Sequence, residues 1–164
     1  MRTAMRIATS VLLLTMVGSA AAAESLPKKG TISGVYGWHV STGQNIAVSQ
    51  DHIIYGGVVS GPFVGDGGQG LLHSAAASCT FSGEFKKDTV THNSGDCVTT
   101  DADGDKVTMH WKCTKCPESG DLVITSGTGK YAGIKGDGTF QQNGAGPGDS
   151  NSGWSVWKLM WERP

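Results

Sequence analysis

After its first 23 residues the chain has no long apolar run, almost no helical periodicity and little charge. Only 16% of its residues are Asp, Glu, Lys or Arg. Each shortage excludes something. A bilayer-spanning helix needs about 20 consecutive apolar residues, and no segment beyond the N-terminus supplies them. The formal charge of -1 comes without clusters of Lys or Arg, which argues against nucleic acid and against anionic membrane surfaces. The histidines at 39, 52, 73, 92 and 110 show neither H-x-x-x-H nor H-x-H spacing. There is no G-x-S-x-G elbow, and no pair of carboxylates is set apart for acid–base work. No cofactor and no metal site is expected.

The N-terminus does have an apolar run, and it is short. Arg2 and Arg6 precede apolar residues 7–17, and Ala21-Ala22-Ala23 offers an A-x-A cleavage site before Glu24. That is the layout of a secretory signal over residues 1–23. The expected mature chain is residues 24–164, periplasmic or secreted, with no membrane span after cleavage. Losing Arg2 and Arg6 takes the formal charge from -1 to -3. The remaining length suits one domain.

Glycine is what the chain has in quantity, 25 residues, without a Gly-X-Y period. Val, Ile, Thr, Trp and Tyr scattered between the glycines read as strands joined by tight turns. Residues 71–86 alternate most clearly. Leu71, His73, Ala75, Ala77, Cys79, Phe81, Gly83 and Phe85 share one face, and polar or small residues fill the other. Further strands are expected over 31–40, 52–60, 96–100, 106–112 and 122–125. Extended structure then continues through 127–140, and a strand over 154–161 closes the chain. Turn chemistry stands at 87–88, 92–95, 101–105 and 117–120, and loops at 61–62 with 65–70 and at 143–153. Seven to nine short strands with regular turns mean an all-β sandwich or barrel. The length of residues 71–86 favours the tilted strands of a barrel.

Cysteines stand at 79, 97, 113 and 116. An even count in an exported chain implies two disulfides, in one of three connectivities. Counting back from the turn near Asp88 sets Cys79 and Cys97 opposite one another, so Cys79–Cys97 with Cys113–Cys116 is the favoured pairing. Pro117 and Gly120 leave no room for the helix that a redox-active CxxC requires. Haem attachment would need His where Pro117 stands, and zinc would need two further ligands. The acidic run Asp101-Ala102-Asp103-Gly104-Asp105 has its glycine two places early for a calcium loop, and it suits a turn better.

The run SGTGKYAGIKGDGTF, residues 126–140, resembles the glycine-rich strand–turn pattern of the allene oxide cyclase barrel-like superfamily, which includes the plant dirigent proteins. Cys79, the run GDCVTTDADGD from Gly95 to Asp105, and Trp111 are similar to exported proteobacterial members of that group. The resemblance covers about residues 71–140. It implies a single antiparallel eight-stranded β-barrel with a central cavity, and it transfers no working residue. From the strand faces, Tyr36, Trp38, His73, Trp111 and Tyr131 are the candidates to line such a cavity and hold a small apolar ligand. A binding or structural module is expected first. A cyclase- or dirigent-like enzyme that steers a reactive intermediate is the alternative, and self-association is left open.

Overall fold

The computed structural model describes residues 27–68, 70–144 and 151–164. The signal-like segment and most of the 143–153 loop lie outside those residues. The strands are β1 (Lys29–Ser49), β2 (His52–Gly65), β3 (Ala75–Lys86), β4 (Thr89–Thr100), β5 (Lys106–Lys115), β6 (Ser119–Gly127), β7 (Lys135–Asn143) and β8 (Ser152–Glu162). Each pairs antiparallel with its neighbours in chain order, and β8 returns to β1 from Lys29↔Glu162 to His39↔Ser152, closing an eight-stranded barrel. No helix among the described residues is long and apolar enough to cross a membrane.

Period-two alternation produces the wall. In β8, Ser155, Trp157, Leu159 and Trp161 are buried, whereas Trp154 and Met160 face outward, Met160 being 71% exposed. Trp154 and Trp157 therefore lie on opposite faces, as a strand requires and a helix would not. The glycines of β7 sit where neighbouring strands approach closely. A Cβ on Gly138 would run into the Lys158 carbonyl, so no larger residue fits that register.

Several expected boundaries move. β1 runs on to Ser49 rather than ending at residue 40, and β2 runs to Gly65, so Gly61 and Pro62 are strand rather than loop. β3 begins at Ala75 rather than residue 71, because Leu72 and Ser74 take positive φ (58° and 55°) and break the alternation. Leu72 is buried although the alternation placed it outward. β4 starts at Thr89, so His92, Asn93, Ser94 and Gly95 are strand, and the turn is confined to Lys87 and Asp88, both at positive φ. Between β6 and β7 the chain makes a short 3-10 turn, Gly129–Tyr131, rather than continuing extended.

That turn plugs one end of the barrel. Tyr131 is buried, and its hydroxyl donates to Asp101 Oδ2 at 2.6 Å. The Asp101 carboxylate also receives Lys130 Nζ at 2.7 Å and the backbone N–H groups of Asp103 and Asp105. Lys130 Nζ reaches Asp103 as well, and the Lys130 N–H donates to Asp105 Oδ2. The acidic run is thus a turn whose carboxylates are committed to the 3-10 segment. Burial works against ionisation of Asp101, yet the bonds from Lys130, Tyr131 and Asp103 outweigh it and hold the carboxyl below its usual range. A depressed folded-state pKa contributes stability above the unfolded value of about 3.9 and loses it as pH falls through the lower folded value. Asp101→Asn is expected to cost about 2 kcal/mol at neutral pH. Its stability should change less than that of the wild type on acidification below about pH 4. Urea melts of both proteins across that interval measure the difference, and parallel pH profiles would contradict the assignment.

Candidate functional site

Toward the plugged end Phe63, Leu72, Val107, Met109, Ile134 and Leu159 are buried in one cluster with Tyr131. The opposite end carries the β1–β2, β3–β4 and β5–β6 turns, and there the interior opens into a cup of about 230 Å³. Its wall is largely aromatic: Tyr36, Trp38, Tyr55, Phe81, Trp111, Phe140 and Trp157. Trp157 lies 4.9 Å from Tyr36 and 5.2 Å from Phe63, centroid to centroid, and Trp111 meets Phe140 edge to face at 5.8 Å. The indoles are anchored. Trp157 Nε1 donates to Ser155 Oγ at 2.9 Å and Trp111 Nε1 to the Thr80 carbonyl at 3.1 Å.

No Asp, Glu, His, Lys or Arg is among the lining residues; the polar groups are two phenols, Asn93, Gln142 and Ser155. Burial pushes the Tyr36 phenol well up and the Tyr55 phenol up to about 12. Neither can act as a base near neutral pH. The Tyr36 hydroxyl is held by the Val59 carbonyl at 3.3 Å. Asn93 Oδ1 is buried and has no hydrogen-bond partner. The cup can therefore desolvate an apolar molecule and offer it hydrogen bonds from Asn93, Gln142 and the Tyr55 phenol, and its described lining holds no carboxylate, imidazole or amine.

Of the candidates read from the sequence, Tyr36, Trp38 and Trp111 stand on the cup wall. His73 and Tyr131 do not. His73 falls in the turn before β3, beside Gly65 at the plugged end, with Nε2 3.3 Å from Ser74 Oγ. Tyr131 belongs to the plug itself. Tyr55, Asn93, Phe140 and Trp157 were not among the candidates. Asn93 was hidden by a turn-like neighbourhood. Trp157 was visible only as part of the closing strand over 154–161.

Both disulfides adjoin the cup. Cys79 and Cys97 are cross-strand partners in its wall, and their bond joins β3 to β4. Cys113 and Cys116 are bonded at the rim, where the Cys116–Pro117 peptide is cis.

No protein-family model and no curated protein sequence matches this chain. Among solved structures it is similar to a pterocarpan synthase dirigent protein, with a TM-score of 0.51 and 9% identity over 83% of this chain and 87% of that one. The likeness is one of architecture: this chain has the dirigent-type barrel fold.

Proposed function

We propose that the protein is an exported binding module that takes a small, uncharged, mostly apolar molecule into the open end of its barrel. The observation that carries this reading is the aromatic cup without a charged group. A charged ligand would lose its hydration there with nothing to replace it. Drug-sized ligands occupy sites of about 300 Å³ or more, so the cup by itself suits a compact molecule. Two disulfides, together with the signal-like N-terminus, support a place outside the cytoplasm.

Three cup tryptophans make binding observable. Titration with an uncharged bicyclic aromatic is expected to quench tryptophan emission saturably, and Trp111→Phe should remove part of the signal. A linear, non-saturating response would refute a bound state. Native mass spectrometry of protein from its own cell envelope tests ligand and export together. The expected chain starts at Glu24, carries a retained small molecule and has lost four hydrogens to two disulfides. A full-length mass with four thiols would refute export.

A second reading is favoured by the fold likeness to a dirigent protein described as a pterocarpan synthase. In it, the cup steers a reactive intermediate by shape, which needs no acid or base. Adding the protein to a spontaneously coupling or cyclising reaction would then change the product's stereochemistry. Binding without any change in product favours the first reading.

A further inference from the structure

The wall of the cup is not of even height. β1 pairs with β8 only as far as His39↔Ser152 but itself runs on to Ser49. β4 pairs with β5 only from Ser94 onward but begins at Thr89. The ends of β1, β2, β3 and β4 therefore rise past the rim as a four-stranded awning. Its inner face continues the alternation of the cup wall. Phe81 and Tyr55 belong to the cup, Phe85 lies 5.1 Å from the Tyr55 ring, and Ile53 is the cross-strand partner of Phe85. From Phe81 to Phe85 the row spans about 13 Å at strand spacing. At its far end Phe85 is 38% and Ile53 36% exposed. On the outer face Lys86 pairs with Glu84 at 2.8 Å, and His52 stands near the same carboxylate.

Cup and awning meet at Gly83. The Tyr55 ring lies over it, so a Cβ would come within 2.5 Å of the phenol oxygen. Its cross-strand partner is Asn93, whose Oδ1 has no partner. We propose that the ligand is an elongated, uncharged molecule with apolar groups at both ends and a hydrogen-bond donor between them. One end fills the cup, the donor meets Asn93 Oδ1 at the neck, and the other end lies along Tyr55, Phe85 and Ile53. This rests on the cup being a binding site. A small molecule fits the awning better than a protein segment does, because the row is continuous with the cup and the unpaired acceptor sits at their junction.

N-phenyl-1-naphthylamine has this form, with two ring systems joined through one N–H; 1-naphthylamine lacks the second ring. Fluorescence titration is expected to show the longer probe binding about tenfold tighter, the scale of one aromatic contact. Phe85→Ala should remove that advantage and leave 1-naphthylamine unchanged, and Ile53→Ser should act in the same direction. Both side chains are exposed, so melting temperatures close to wild type certify the fold. Equal affinity for the two probes, or Phe85→Ala without effect, would overturn the elongated ligand while leaving the cup in use. A wild-type dimer in sedimentation that Phe85→Ala dissociates would overturn it in favour of a second copy on this face. Failure of both probes to bind would remove the cup reading and this inference with it.

Discussion

Protein in which Cys79 and Cys97 are both replaced by alanine is expected to melt about 10 °C below wild type, through the loss of about 3 kcal/mol. The two residues are 18 apart in sequence and directly opposed in the β3–β4 ladder. In the loop-entropy account, their bond removes from the unfolded chain the freedom of that whole hairpin. Cys113 and Cys116 close a separation of only three residues at the rim, so the same account assigns their bond a smaller effect. Access follows the same order. Cys79 and Cys97 are 3% and 2% exposed, whereas Cys113 and Cys116 are half-buried. Mild reduction followed by alkylation should label Cys113 and Cys116 first, and the melting curve should barely move until Cys79 and Cys97 react. Labelling of all four together, or equal melting shifts for the two double variants, would contradict this ranking.

The Cys79–Cys97 pairing was legible for a physical reason. A turn near Asp88 fixes the hairpin's register to within one residue. Strict counting from Lys86↔Thr89 would set Cys79 opposite Asp96, and the bulge between Glu84 and Phe85 shifts the ladder by one and brings Cys97 into place. The inward face of β3 from Ala75 onward was legible in the same way, and so was the β8 strand. Alternation tells inside from outside. It does not tell height along the barrel axis, and height decides whether an inward residue joins the cup or the plug. Tyr36 and Ile32 share a face of β1, yet Tyr36 lines the cup while Ile32 packs at the plugged end. Tyr131 was read as an inward barrel residue, but the connection carrying it folds back as a 3-10 turn to meet Asp101, a contact across 30 residues that no local pattern announces. His73 left the β3 face because two non-glycine residues beside it adopt positive φ, an uncommon choice that composition does not signal. The awning was legible only in Phe85, read as inward on residues 71–86. The strands that flank it, β1 to Ser49 and β4 from Thr89, run past their expected ends, and a register shift between Val40 and Thr42 reverses the parity of β1 beyond the rim.

Trp157→Ala is expected to have an effect of similar size, for a different reason and with a different remedy. Trp157 is 3% exposed, wedged between Tyr36 and Phe63 at the base of the cup. Removing a buried tryptophan costs about 3–5 kcal/mol, part of it lost transfer energy and part the cavity left behind. Here that cavity adjoins the existing cup, so truncation deepens the cup rather than sealing an empty void in the core. The Ser155 hydroxyl, which now accepts the indole N–H, would lose its partner on the rim side of the enlarged space. A flat aromatic molecule with one N–H could enter in place of the missing side chain and restore that bond. Any ligand that binds only the folded state stabilises it, by about 2.7 kcal/mol at a hundredfold excess over its Kd. Saturating indole should therefore return much of the lost melting temperature to the Trp157→Ala variant while leaving the wild type, whose base is filled, nearly unmoved. Recovery confined to the variant would show that the aromatic cluster divides the barrel into cup and plug. Equal stabilisation of both proteins would place indole in the existing cup, and no stabilisation of either would mean that Tyr36 and Phe63 close over the gap.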